Sequence, residues 1–565
     1  MKRASLSRLL PVASLLLVAA VLRTWDLNRV FLDPDEAIWM IVPLKLFRGP
    51  LLRPGPLEQL PLAQLAAWPY GYLYPLILTA WVGVLHGTGL GVTERLMLLP
   101  CAAMGVGSVF LVYRLVREEA GRDRALLACG LAAVLPLHVG LSRSMIATRI
   151  PASFFLLLFL LCFLRYLRRR GTRDALFSGL ALAGYSTVTP MFPAVAPVMA
   201  GAAFLYTDAA GGAARRTGRA VRALLRREIV LPPLLALAPP LAVLVYGIGI
   251  GNLGGQLGYI LAKPKTPGLY LAALAGYFTD NAGTALAWLA PPALVYGIVV
   301  ARRSRWHALL VLWSVVYLAP FAFFLRENIL PREYLLDGTL PVVILSAGMV
   351  ADLIGVARRR SGVAATAWAA ITVPALVVAT FVATLQSVFG LQPDGTVVKQ
   401  PFRYVQLGDF GMQRRDNGVK AAGYYVRRTV PPETGVFTDM TPFHGPLYFG
   451  REVYAVSDGN EESMLDYLAK IRDRIGAAVV NRIGERRVRD VLGPAFHRVA
   501  VIRRGGEPVM AVYATGKTPP VELHVEEANR RYEREFRRAR QILPPGLDYP
   551  ELTPVQMGVQ AAGEE

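Results

Sequence analysis

The chain has 565 residues, 54% hydrophobic and only 18% charged, with Lys+Arg 61 against Asp+Glu 40 and a formal net charge of +21. Mean hydropathy is +0.40, so much of the chain has lipid as its solvent. A basic soluble protein such as a nucleic-acid binder does not carry unbroken apolar runs of this number, and nucleic acid is excluded as a partner.

Splitting the chain after residue 385, where the long apolar runs stop, gives 36 Lys/Arg and 17 Asp/Glu before the cut and 25 and 23 after it. The basicity therefore belongs to the apolar part. Cys101, Cys129 and Cys162 all lie inside apolar runs, where they read as small packing residues and not as a disulfide or thiolate metal framework.

The first apolar run, residues 9–22, follows Lys2, Arg3 and Arg8 and reads as an uncleaved anchor. Further runs occupy 68–86, 96–113, 125–141, 150–164, 175–189, 191–206, 229–248, 285–301, 308–325, 335–356 and 364–384. Most match the length of a bilayer span. Arginine clusters assign sides: Arg114 to Arg124, Arg165 to Arg173, Arg215 to Arg227, Arg302 to Arg305 and Arg358 to Arg360 all belong in the cytoplasm. Walking in from both directions leaves Arg23 and the start of the 96–113 helix outside, so 68–86 (WPYGYLYPLILTAWVGVLHG at its widest) cannot cross and reads as an interfacial or re-entering helix. The expected architecture is a polytopic α-helical membrane domain over 1–385 with about eleven spans, an external loop over 23–95, and an extracytoplasmic α/β domain over 386–565.

That first external loop carries Asp33-Pro34-Asp35-Glu36, three carboxylates in four positions just beyond a membrane helix. Such a cluster suits a base or a cation ligand; the competing reading is a solvated turn in which Asp33 caps a helix beginning at Pro34. The other external loops offer cations against the topological trend: Arg143 and Arg149, Lys263 and Lys265, Arg326 and Arg332. Converging, they would bind a phosphate or diphosphate at the membrane surface; singly, each would snorkel to lipid headgroups. His138 stands at the outer end of its span and reads either as a packing residue or as a site neighbour, and His444 falls in a loop of the external domain.

In that domain Lys420–Thr429 predicts a helix, Gly435–Thr438 a strand, Met464–Ile475 a helix, Ala477–Asn481 a strand, and Arg498–Arg503 with Val509–Ala514 a strand pair around Gly505-Gly506. Glu522–Arg540 is dense in both charges and predicts an exposed helix with internal ion pairs; the tail beyond Pro544 predicts disorder. No glycine-rich phosphate loop and no Cys/His cluster point to a second catalytic centre.

The order of several short motifs resembles the GT-C superfamily of polyprenyl-phosphate-sugar glycosyltransferases, in particular the branch of protein O-mannosyltransferases and the lipid A aminoarabinose transferase. The motifs are Asp35-Glu36-Ala37, Glu94-Arg95-Leu96, Gly121-Arg122 followed by Ala125-Leu126-Leu127-Ala128, Pro136 through Ser142-Arg143, and Pro331-Arg332-Glu333-Tyr334-Leu335-Leu336 leading to Pro341. The resemblance implies transfer of a sugar from a polyprenyl-phosphate carrier to an acceptor hydroxyl on a glycan, lipid or protein at the outer face, with inversion. It implies Asp35 as general base, Glu36 beside it as an orienting acid, and Arg332 with Tyr334 near the carrier phosphate. The chain departs from some relatives at 142–151, SRSMIATRIP, where they place a second acid. A metal shared between the two loops is therefore not expected, although Asp33, Asp35 and Glu36 could together hold Mg2+ or Mn2+. The expected location is a bacterial inner membrane, with the second domain periplasmic or extracellular. A transporter or lipid flippase is the rival class; it accounts for the spans but not for the acidic motif or the external domain.

Overall fold

The computed structural model describes residues 2–25, 27, 42–44, 46–47, 72–90, 92–144, 149–189, 192–207, 212–245, 271–324, 335–361, 363–389, 418–439, 448–450, 453–455, 461–481, 483–515 and 520–538. Wherever they are described, the apolar runs are helical. Helices are α1 (Lys2–Thr24), α2 (Leu73–Gly87), α3 (Glu94–Ala120), α4 (Arg122–Val134), α5 (Pro136–Ser142), α6 (Arg149–Arg169), α7 (Thr172–Ser186), α8 (Val195–Tyr206), α9 (Gly212–Leu224), α10 (Arg227–Val245), α11 (Leu271–Ala282), α12 (Thr284–Ala301), α13 (Arg305–Phe324), α14 (Leu335–Ser361) and α15 (Val363–Phe389). In hydrocarbon every backbone N–H and C=O must be paired within its own segment, which leaves the helix as the only solution for such runs.

Among the described residues α3, α6, α12 and α14 are each long and apolar enough to cross a membrane, and α4 with α5 forms a fifth span broken by 57° at Leu135. The core runs through the bundle from Val12 to Val388, while large apolar side chains such as Trp288, 79% exposed, face outward. An exposed apolar belt of this kind has lipid as its natural neighbour. Helices α7 and α10 approach closely because Gly179 has no side chain: a Cβ there would stand 2.1 Å from the carbonyl oxygen of Glu228.

Charge gives the bundle two different ends. At one, Glu118 accepts from Arg165 Nε (3.1 Å) and Arg168 Nη2 (3.1 Å), Glu119 accepts from Tyr206 (2.8 Å) and pairs with Arg168 (2.9 Å), and Asp352 accepts from Arg124 Nε (3.0 Å) and Tyr296 (2.5 Å). At the opposite end, α2 lies across the bundle. Its first residue donates a backbone bond to Thr187 O (3.3 Å) and its Trp81 Nε1 one to Leu96 O (2.8 Å), both acceptors standing at that same end.

Beyond the bundle, α16 (Val419–Thr429), β1 (Gly435–Thr438), β2 (Val453–Ala455), α17 (Glu461–Ile471), β3 (Ile475–Val480), α18 (Glu485–Leu492), β4 (Phe496–Arg504), β5 (Glu507–Thr515), β6 (Val521–His524) and α19 (Val525–Arg538) form a three-layer α/β unit. Its mixed sheet has the order β2-β1-β3-β5-β4-β6. Alternation sorts the two cores: Ala477 and Val479 of β3 face α16 and α19, while Ala478 and Val480 face α17 and α18. Gly505 (φ 56°) and Gly506 (φ 88°) close the β4–β5 hairpin in the left-handed conformations that such a two-residue turn requires. Lys420, fully buried in α16, reaches Glu94 Oε2 of α3 at 3.1 Å, which seats this unit on the α2 end of the bundle.

Two expectations for this unit are corrected. Residues 522–524 belong to β6, paired parallel to β4, because Val521 and Leu523 alternate against its edge. The charged helix that follows is not freely exposed: Val525, Ala528 and Tyr532, spaced as one helical stripe, are buried against α16, and only its other face holds pairs such as Arg531–Glu527 (2.5 Å). The predicted helix Met464–Ile475 also ends earlier, since Ile475 opens β3.

Candidate functional site

Of the residues singled out from the sequence, Asp33, Asp35, Glu36, Lys263, Lys265, Arg332, Tyr334 and His444 lie outside the described residues, as does the tail beyond Pro544. His138, Arg143 and Arg149 are described, and all three stand at the α2 end of the bundle, the end that carries the α/β unit.

The break between α4 and α5 shapes this region. Pro136 has no N–H, so Ala132 O loses its helical donor, and the 57° bend frees Ala133 O as well. Arg23, at the last turn of α1, takes up both. Its Nη1 donates to Ala133 O (2.9 Å) and Ala19 O (3.0 Å), and its Nη2 to Ala132 O (3.3 Å). Thr384 of α15 donates to the next carbonyl, Val134 O. Arg23 is fully buried. The C-terminus of α4, with its concentration of carbonyl charge, gives it a negative environment built from backbone alone.

Arg23 Nη2 also donates to His138 Nδ1 at 2.7 Å. A guanidinium has no acceptor, so Nδ1 carries the lone pair and the ring proton sits on Nε2. His138 is completely buried, and Ser142 one turn on donates to its carbonyl (2.5 Å). Room for this cluster comes from Gly105 of α3: a Cβ there would stand 2.2 Å from Ser142 Oγ and 3.1 Å from Arg23 Nε.

Arg143, just past α5, turns toward α1. Its Nη1 donates to Leu22 O (3.0 Å) and Trp25 O (2.5 Å), and its guanidinium lies over the ring of Phe389, 4.5 Å from the centroid. Arg149 opens α6 and donates from Nη1 to Thr189 Oγ1 at 3.0 Å; it is 1% exposed.

One turn deeper sits a carboxylate that the sequence reading passed over. Asp337, in the first turn of α14, accepts from Ser153 of α6 (2.5 Å) and from Tyr185 of α7 (3.5 Å), and Tyr185 in turn meets Tyr317 of α13 at 2.7 Å. Since the Tyr185 proton goes to Asp337, Tyr317 is the donor to Tyr185, and the chain runs in one direction toward the carboxylate. An acidic residue inside an apolar run was the available signal, because a buried ionisable group within a membrane segment marks function by default.

Among the described residues no three His, Cys, Asp or Glu side chains come together in a way that could hold a metal ion.

The family model for dolichyl-phosphate-mannose-protein mannosyltransferases matches residues 75–223. Solved structures match most of the chain. AglB, the oligosaccharyltransferase of Archaeoglobus fulgidus, in complex with an inhibitory peptide and a dolichol-phosphate, aligns at 14% identity and a TM-score of 0.53 over 84% of this chain and 69% of its own. The oligosaccharyltransferase of the same organism in complex with Zn and sulfate aligns at 14% identity and 0.51, over 83% and 68%. ArnT from Cupriavidus metallidurans in the apo state aligns at 13% and 0.52, over 91% of this chain and 100% of its own. No curated protein sequence matches the chain. At these identities the likeness speaks for the fold. The chain has the GT-C architecture, a polytopic helical membrane domain followed by an α/β unit, and the resemblance read from the short motifs is borne out at that level.

Proposed function

We propose that this protein is a glycosyltransferase of the membrane that moves a sugar from a polyprenyl-phosphate carrier to an acceptor hydroxyl at the outer face, with inversion. The observation that carries the reading is the GT-C fold combined with the gathering of Arg23, Arg143 and Arg149 at the bundle end away from the ion-paired arginines. By the positive-inside rule the ion-paired end is cytoplasmic. The α2 end, with the α/β unit on it, is then periplasmic in a bacterial inner membrane.

In this reading Asp35 removes the proton of the acceptor hydroxyl as the oxygen attacks the anomeric carbon. The bond from that carbon to the phosphate oxygen breaks, and polyprenyl phosphate leaves. Its growing charge needs fixed cations and no acid, and Arg149, Lys263, Lys265 and Arg332, with the Tyr334 hydroxyl, are the groups assigned to it. Glu36 orients Asp35 or the acceptor. The donor set Asp33, Asp35 and Glu36 is all oxygen and fits a hard cation; Mg2+ or Mn2+ bound there would supply charge neutralisation at the donor phosphate. The acceptor is a glycan, lipid or protein hydroxyl presented beneath the α/β unit.

Asp35→Asn in the purified full chain tests the assignment. With polyprenyl-phosphate sugar as donor, the rate of transfer should fall about 100- to 10,000-fold, the range of a lost general base. Transfer at the parent rate would refute the role given to Asp35.

A further inference from the structure

Arg143 was set among the candidate phosphate ligands, yet its described contacts point elsewhere. Two arginines, Arg23 and Arg143, serve carbonyls at two helix C-termini: Ala132 and Ala133 of α4, and Leu22 and Trp25 at the exit of α1. Both are buried, at 0% and 9% exposure. Helix C-termini carry a partial negative charge, which explains how these cations are held inside the bundle at carbonyl-rich sites. Each arginine also joins separate elements. Arg23 ties α1 to the α4–α5 break and to His138, and Arg143 ties α1 to α5 and, through Phe389, to the last helix of the bundle. Gly105 keeps the space open for them. The exit of α1 is thus held from two sides, and the acidic motif Asp33 to Glu36 begins only a few residues beyond Trp25.

We propose that Arg23 and Arg143 are positioning residues, which lock the exit of α1 and so fix where the acidic segment leaves the membrane, and that Arg143 does not bind the donor phosphate. The functional half of this proposal rests on the reading of Asp35 as base. The clamp itself does not.

The test uses the full chain with Arg143→Gln, reconstituted in lipid, and reads two quantities. Hydrogen exchange over residues 22–36 should accelerate at least tenfold relative to the parent, while exchange in α6 stays unchanged. In steady-state transfer from a polyprenyl-phosphate sugar, kcat should fall at least tenfold with donor KM within threefold of the parent; Arg149→Gln, by contrast, should raise donor KM. Unchanged exchange over 22–36 overturns the clamp. A donor KM raised tenfold or more with kcat preserved makes Arg143 a phosphate ligand and overturns the proposal, as does faster exchange with both constants unchanged. Phe389→Leu, which removes the stack under Arg143 but no charge, gives the same readouts in milder form should Arg143→Gln fail to fold. If Asp35→Asn transfers sugar at the parent rate, the base reading falls, and the exchange measurement still decides the clamp.

Discussion

Replacing Tyr185 by Phe should cost more than replacing its partner Tyr317, although the same atom is lost in each. Tyr317, Tyr185, Asp337 and Ser153 are at most 2% exposed, and their hydrogen bonds run in one direction into the carboxylate. Tyr317→Phe removes one ordinary bond, 2.7 Å long, and leaves Tyr185 still donating to Asp337. The cost is about 1 kcal/mol, typical of a net intramolecular hydrogen bond. Tyr185→Phe takes away the acceptor of Tyr317 and a donor of Asp337 together, stranding a buried hydroxyl. About 2–3 kcal/mol follows from the desolvation of the orphaned group. In the double variant no orphan remains, so its cost should fall short of the sum of the two by about 1 kcal/mol, well beyond the scatter of independent sites. Unfolding free energies of the four proteins in mixed lipid–detergent micelles measure this cycle. Additive costs, or a larger loss for Tyr317→Phe, would refute the directed chain ending on Asp337.

Gly179→Ala should destabilise the bundle by about 1–3 kcal/mol, the usual cost of overpacking, because the new Cβ would sit 2.1 Å from a backbone oxygen of α10 that cannot rotate away; an unchanged melting temperature would contradict the close approach of α7 and α10. Gly105→Ala should slow sugar transfer, since its Cβ would enter the space of Ser142 and Arg23; a kcat equal to the parent's would show that the cluster tolerates repacking. In the α/β unit, burial holds the Tyr513 phenol above its ordinary value of 10.0, pushed up to about 12, with Glu485 acting in the same direction. The unfolded chain therefore releases this proton first, and the stabilising contribution is complete below pH 10 and lost as pH rises from about 10 to about 12. Tyr513→Phe should flatten that part of the stability profile; an identical alkaline slope in the variant would assign the loss to another group.

How far the sequence could be read depends on whether a residue's partners are local. The apolar runs foretold helices because lipid leaves the backbone no alternative, and the strand pair around Gly505-Gly506 was legible from turn chemistry alone. Arg23 was legible only as a charge marking one side of the membrane. Its role depends on the carbonyls freed by Pro136, more than a hundred positions away, and no local pattern links the two. Asp337 could have been noticed as an acid within an apolar run, but its donors come from α6 and α7. The helix after β6 misled for the opposite reason: eight or more charges dominate its composition, about as many as a fully solvated helix would carry, and they obscure the Val525, Ala528 and Tyr532 stripe that anchors it.

The central claim is chemistry on a lipid-linked sugar, as opposed to movement of the lipid. Purified protein reconstituted in vesicles with a radiolabelled polyprenyl-phosphate sugar and an extract of outer-face acceptors tests it directly. The account predicts that label passes to an acceptor, that polyprenyl phosphate accumulates in equal amount, and that the new linkage has the anomeric configuration opposite to the donor's. Donor that crosses the bilayer intact, with its sugar still attached, would contradict it.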